Sequence, residues 1–460
     1  MRSIIMNLEW IYKEWLSMKV VIIGGDAAGM SAAMEIVRNN KAAQIVVLEK
    51  GDIYSYGQCG LPYVINGKVP TTEDLIARDV EEFRSKYGID ARIFHEVTNI
   101  DTKLQIVSGV DVNSNEPFEF QYDKLLIATG ASSVMPPFEN RQLKGIHHVK
   151  TIPEMDVLML ELPNVKHATV IGGGYIGLEV AENLRERGLQ VRILQREKQL
   201  MSNKLDPELA QLVYDEAVKQ GVEVLLNEDV IGFEGATSVE GVRTKRGVYE
   251  TDLVIVAAGI RPNTSFAEGF AKLENGALIV NGKMQTSIEH VYSAGDCASH
   301  FNRMKMQMDY IPLGSTANKQ GRIAGLNIAG YKQVFQGIVG TSILKFFDLQ
   351  IGMTGLNNVE ADKLNSVVEA YVMEVNDIAS YYPNVHPMKI RMLVEQHSRK
   401  LLGMQAVGQH GVDKRIDVFA TALYNNMTFE SLLNLDLAYA PPFSGVWDAL
   451  QQAPKRYGKK

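Results

Sequence analysis

Cys59 lies in the run Ser55-Tyr-Gly-Gln-Cys-Gly-Leu-Pro-Tyr63, ten positions after Glu49. The chain has two cysteines and the other is Cys297, so a Cys-x-x-Cys or Cys-x4-Cys redox pair is impossible here. If Cys59 does chemistry it works alone, as a thiolate forming a mixed disulfide or as a sulfenate. Attack on a disulfide requires the thiolate. A helix N-terminus or a nearby cation would lower the thiol from its usual value near ~8.5. The residues after Cys59 can start a helix, with Pro62 confined to its first turn. Cys297 follows Asp296 and reads as a buried structural thiol. The nine histidines show no metal-ligand spacing. His147, His148 and His386 are expected in loops, and no metal is assigned.

The elements that must position Cys59 are written twice. Lys19–Gly24 reads as a buried parallel strand, followed by Gly24-Gly-Asp-Ala-Ala-Gly29, a helix to about Asn39 and a strand from Gln44 to Glu49. His167–Ile171 leads into Gly172-Gly-Gly-Tyr-Ile-Gly177, a helix to about Arg187, a stop at Gly188 and a strand from Gln190 to Gln195. Gly172 lies 148 positions after Gly24, about one domain. Such glycines let the backbone turn tightly and approach a pyrophosphate, whose charge then sits at the helix N-terminus. Glu49 ends its strand where a carboxylate can accept ribose hydroxyls, so each unit can hold one dinucleotide. Asp26 replaces the middle glycine of the first turn, so backbone approach there is either slightly looser or made by Ala27 instead.

Tyr122–Gly130 reads as a strand ending in a small-residue turn, and Asp252–Asn263 repeats that design through Gly259. Val291–Asp296 places a carboxylate just after a strand. From Gly340 the pattern changes to shorter alternating strands, such as Met388–Glu395, and an apolar helix around Ile416–Asn425. The fold class is therefore α/β, with two doubly wound, Rossmann-like nucleotide-binding domains followed by a C-terminal α+β domain.

With 460 residues, two to four domains are expected, and 46% hydrophobic residues suffice for large cores. A formal net charge of −7 gives nucleic-acid binding no electrostatic support. No apolar run reaches the ~18 residues of a membrane span. Glu9, Lys13 and Glu14 interrupt residues 1–17, which lack a signal-peptide core and read as an extension upstream of Met18. Two cysteines cannot build a disulfide framework, and a free thiol motif suits a reducing, cytoplasmic setting.

With these residues on the page, the chain resembles the single-cysteine branch of the FAD-dependent pyridine nucleotide-disulfide oxidoreductases, and within it the coenzyme A disulfide reductases. The resemblance runs from Met18 to about Arg456. It rests on the Ser55–Tyr63 run, Ala128-Thr-Gly130, Ala294-Gly-Asp-Cys-Ala298, Ala317-Asn-Lys-Gln-Gly-Arg322 and Leu437-Ala-Tyr-Ala-Pro-Pro442. It implies an FAD domain over 18–150 and 275–340, an NAD(P) domain over 151–274 and a dimerisation domain over 341–460. FAD would contact Gly24, Ala27, Ala28, Gly29, Glu49, Lys50, Ala128, Thr129, Gly130, Asp296 and Leu313, with Asp296 on the ribityl–phosphate region. NAD(P)H would contact Gly172, Gly174, Tyr175, Ile176, Gly177, Gln195, Arg196 and Gly259, with Tyr175 covering the flavin until nicotinamide displaces it.

The implied reaction is reduction of coenzyme A disulfide by NAD(P)H through a Cys59–coenzyme A mixed disulfide. Substrate contacts carry over to Ser31, Arg38, Ser55 and Gln58, beside an acid at Glu35. Two tyrosines of the partner subunit of a homodimer, Tyr381 (with Tyr382 as the alternative) and Tyr439, would serve the leaving thiol. A phenol near pKa ~10 suits that task. Aligned by strand, Gln195 takes the place of Glu49, and a neutral amide followed by Arg196 suits the 2′-phosphate of NADPH. Counting twenty residues from Gly177 reaches Glu197 instead, which would suit NADH. The strand alignment is preferred.

Three other readings compete. Reduction of a coenzyme A persulfide or polysulfide uses the same site; relatives of that kind often carry a fused rhodanese domain, for which the sequence has no room. Oxygen or peroxide reduction is disfavoured by Ala27, because the oxidases and peroxidases of this branch place a His in that turn. A non-catalytic flavoprotein acting as a binding partner fits an intact thiol motif least.

Overall fold

The structure is a computed structural model that describes residues 17–364 and 366–458. The expected extension upstream of Met18 lies, apart from Ser17, outside the described residues.

The apolar runs become parallel strands buried on both faces, as continuous Val/Ile/Leu runs must. In the first sheet, Lys19–Ile23 sits between Gln44–Leu48 and Lys124–Ile127, with Asp90–Arg92 and Val291–Ser293 at the edges. In the second, His167–Ile171 sits between Gln190–Gln195 and Leu253–Val256, with Val222–Leu226 and Ile146–His147 outside. The central strand of each sheet thus has neighbours reached by oppositely directed crossovers. That switch point is where open α/β sheets bind ligands. Each unit also carries a small antiparallel sheet, built from His95–Asp101, Ile106–Asp111 and Pro117–Gln121 in the first unit and Val230–Glu234, Gly241–Thr244 and Val248–Glu250 in the second.

The third domain is an antiparallel five-stranded sheet in the order Ser342–Phe346, Leu349–Gly355, Leu401–Gly408, Pro387–Glu395, Val368–Asn376. Helix Val412–Tyr424 packs on it through Ile416 and Phe419 against Ile390, Met392 and Met404.

Three local expectations need correction. The second unit starts before residue 151, because Ile146–His147 pairs with Leu253–Val256; His147 is therefore in a strand, not a loop. The second unit also ends before 274, since Ala267 and Phe270 pack in a core with Val21, Ile23 and Leu125 of the first sheet. Strand pairing sets the first boundary and a core contact the second, both long-range and invisible in the local pattern.

Candidate active site

The two glycine turns repeat each other closely. Gly24 and Gly172 have φ of +109° and +107°, where only glycine is relaxed. A Cβ on Gly29 or on Gly177 would come within 1.9 Å of the carbonyl oxygen of Gly24 or Gly172, so each helix can pack on its turn only as glycine. Glu49 Oε2 accepts from the Gly25 N–H at 2.8 Å, and Gln195 Oε1 accepts from the Gly173 N–H at 2.8 Å. The two residues at the strand ends thus occupy the same place in their units.

Three of the uncapped helix starts among the described residues lie at these turns or at the Asp296 turn. Ala27–Asn39, Tyr175–Glu186 and Gly314–Ile328 begin at Asp26, Gly174 and Leu313 with no side-chain cap, whereas Ile152–Glu161 is closed by a Thr151–Glu154 capping box. Uncapped N–H groups and the helix dipole favour phosphate. The small-residue turns lock together across the units: Thr129 Oγ1 donates to Asn263 O at 2.6 Å, and Val134 N donates to Gly259 O at 2.9 Å. These cradles fit two dinucleotides. Lys50 turns to Glu96 at 2.6 Å, on the exposed rim.

Cys59 sits in a three-residue 3₁₀ turn, Gln58–Gly60, that runs into the short helix Leu61–Val64 with Pro62 in its first turn. Ser55, which opens the run, has φ of +48° and is pinned by a bond from its own N–H to Gly25 O at 3.0 Å and by one from the Ala77 N–H to its carbonyl at 2.8 Å. Leu61, Val64 and Ile65 pack in one core with Leu178, Phe346 and Ile351, so all three domains meet behind the cysteine. Cys59 itself is accessible at the mouth of this junction.

The expectation of a thiol lowered by its surroundings is corrected. Desolvation by the cleft walls, then Glu179, Asp296 and Asp26, push the Cys59 thiol up, and Lys150 acts against them. Two of those acids are themselves shifted. Burial raises Glu179 to about 7, assisted by Glu182 and opposed by Tyr63. Burial raises Asp26 to about 6 against the Tyr56 backbone bond. Glu179 therefore keeps its proton up to about neutral pH, whereas Asp26 releases its own below it and still faces the sulfur as a carboxylate.

The other site residues fall into groups. Gln58 points inward, its amide donating to Asp26 Oδ2 at 3.0 Å and accepting from Lys150 Nζ at 2.9 Å. Ser31 Oγ donates to Asn318 Oδ1 at 2.8 Å, joining the first helix to Gly314–Ile328. Arg38 bonds Glu35 at 3.2 Å, and Arg322 lies 3.8 Å from the same carboxylate, so this acid is matched by two exposed guanidiniums. Tyr175 hydroxyl bonds Ser342 Oγ at 2.7 Å and Met353 Sδ at 3.0 Å, a cross-strand pair of the third domain. Arg196 is 76% exposed and pairs with Glu197 at 3.1 Å. Tyr381 and Tyr439 meet hydroxyl to hydroxyl on an exposed face of the third domain. Cys297 is fully buried and bonds Ser293 Oγ at 3.4 Å.

Lys150, Glu179, Asn318 and Arg322 were missed as functional candidates. Asn318 and Arg322 had a usable signal, the Ala317–Arg322 motif on a polar helix. Lys150 and Glu179 had none, since their meaning comes from partners far away in sequence.

The model for pyridine nucleotide-disulphide oxidoreductases matches residues 18–321, and that for the dimerisation domain of the same family matches 341–450. The chain belongs to the pyridine nucleotide-disulphide oxidoreductase family. It is an enzyme of the flavoprotein type that works with FAD and NAD(P)H. It is 38% identical to an NAD(P)H sulfur oxidoreductase (CoA-dependent) of Pyrococcus abyssi, over 94% of this chain and 96% of that one. It is 34% identical to an NADH oxidase of Methanocaldococcus jannaschii, over 96% and 99%. A coenzyme A disulfide reductase of Staphylococcus haemolyticus is 32% identical over 93% and 96%. Among the described residues no helix is long and apolar enough to cross a membrane, and no three His, Cys, Asp or Glu side chains gather as a metal site.

Proposed function

We propose that the enzyme reduces coenzyme A disulfide to two coenzyme A thiols at the expense of NADPH, by way of a Cys59–coenzyme A mixed disulfide. The observation that carries this reading is the pairing of one accessible cysteine with a second that is fully buried. Cys59 can exchange only with a sulfur brought from outside.

The Cys59 thiolate attacks one sulfur of the disulfide. The S–S bond breaks, the Cys59–S–S–coenzyme A bond forms, and the expelled thiolate takes a proton from a phenol of the Tyr381–Tyr439 pair of a partner subunit. FAD, when bound, would supply the nicotinamide's electron pair, the two electrons by which the Cys59 mixed disulfide returns to two thiols. The glycine turns at Gly24 and Gly172 would hold the two pyrophosphates, and the turn at Asp296 with Leu313 would close over the first. The Ser31, Arg38 and Arg322 surface offers hydroxyl and guanidinium donors for the phosphates of coenzyme A. The matched positions of Gln195 and Glu49 support NADPH over NADH. A reducing cytoplasm and a homodimer complete the reading.

A second reading, reduction of polysulfide or coenzyme A persulfide, is favoured by the higher identity to the Pyrococcus abyssi protein. The test is anaerobic oxidation of NADPH and NADH by purified holoenzyme with coenzyme A disulfide, glutathione disulfide and polysulfide side by side. Selective turnover of coenzyme A disulfide is the expected result. Faster turnover of polysulfide would replace the substrate, and turnover only on admitting oxygen would replace the reaction.

A further inference from the structure

Lys150 lies in the second nucleotide unit, between its strand Ile146–His147 and the Ile152–Glu161 helix. Its side chain is only 14% exposed, its Nζ donates to Gln58 Oε1 at 2.9 Å, and it stands 3.4 Å from Asp296 Oδ2. Gln58 in turn donates to Asp26 Oδ2 at 3.0 Å, and Asp26 Oδ1 accepts from the Tyr56 N–H at 3.2 Å. One polar chain, Asp26–Gln58–Lys150–Asp296, therefore joins the first glycine turn, the residue before the cysteine, the segment leading into the Ile152–Glu161 helix and the aspartate turn.

Two consequences follow for Cys59. A single 3₁₀ turn with no side-chain cap has few internal bonds and holds its shape poorly by itself. Gln58, gripped at both ends of its amide, fixes that turn from outside. The second consequence is electrostatic. Glu179, Asp296 and Asp26 oppose a negative sulfur, Tyr63 lies close by without charge, and Lys150 is the cation that favours it.

We infer that Lys150 is a positioning residue for the Cys59 chemistry: it clamps Gln58 to fix the turn and supplies the positive charge beside which the thiolate forms. The inference rests on Cys59 as nucleophile but not on the identity of the disulfide.

The test is the rate of Cys59 alkylation by iodoacetamide in the reduced, flavin-loaded holoenzyme, read by peptide mass across pH for wild type, Lys150→Met and Lys150→Arg. The midpoint for Lys150→Met should rise by about one unit, slowing alkylation near pH 7 about tenfold, and Arg should restore most of the rate. An unmoved midpoint for Lys150→Met with normal flavin content, or Arg as slow as Met, would overturn it. Should Lys150→Met lose its flavin, Gln58→Leu cuts the same clamp and keeps the charge. Disulfide turnover should then fall at least about fivefold with reduction by NAD(P)H unchanged, and equal turnover sinks the clamp. If wild-type Cys59 alkylates normally yet no disulfide turns over, the functional reading fails while the alkylation comparison stands.

Discussion

The hydroxyl oxygens of Tyr381 and Tyr439 lie 3.1 Å apart although 58 residues separate them in sequence. The hydrogen bond between the two pushes the Tyr439 phenol up, so this pair keeps a proton to give. It also selects Tyr381 over its neighbour Tyr382 as the partner of Tyr439. Replacing both with Phe should slow disulfide turnover by about a hundredfold while leaving flavin reduction by NAD(P)H unchanged in stopped flow. Full activity in that double variant would remove the phenols from the reaction.

Cys59→Ser should lower disulfide turnover by about a thousandfold or more, since the chain's other thiol, Cys297, is buried and cannot take its place. Electron transfer from NAD(P)H to an artificial one-electron acceptor should persist in the same variant. Retained disulfide turnover would contradict a Cys59 mixed disulfide.

Gln195→Glu keeps the acceptor for the Gly173 N–H and installs the carboxylate that Glu49 provides in the first unit. A fixed negative charge beside the 2′-phosphate should cut kcat/KM for NADPH relative to NADH by about tenfold or more, roughly 1.4 kcal/mol. An unchanged ratio would mean that the count to Glu197, not the strand alignment, locates the selecting residue.

Glu179 gives a pH test of stability. Folded, it holds its proton up to about 7, whereas an unfolded glutamate releases it near ~4.3. The folded form binds more protons across that window, so stability must fall as pH rises through it. Glu179→Gln should remove this fall, making the variant more stable than wild type at pH 8 by on the order of 2 kcal/mol and nearly equal at pH 4. Thermal unfolding at the two pH values checks it. A variant equally destabilised at both would assign Glu179 a packing role.

Much of the frame was legible because its signals are local. Paired strand–turn–helix–strand units show in apolar runs and glycine spacing, since parallel strands and pyrophosphate turns demand those residue types. The thiol run Ser55–Tyr63 and the Gln195–Glu49 correspondence were likewise readable. The boundaries at Ile146–His147 and at Ala267–Phe270 were not, because pairing and core contacts between distant segments decide them.

The sequence by itself determined that a lone cysteine follows a dinucleotide-binding unit, that the unit occurs twice, and that a different domain ends the chain. Tertiary structure alone decided what surrounds that cysteine. Gln58, expected as a substrate contact, has the two ends of its amide on Asp26 and Lys150, 32 and 92 residues away. Glu35 is met by two guanidiniums, Arg38 from its own helix and Arg322 from the distant Gly314–Ile328 helix. The Cys59 thiol was expected to be lowered and is raised, because desolvation and three acids from separate segments outweigh one lysine. Charge and desolvation act through space over a few ångströms, and a linear order of residues carries no record of those distances.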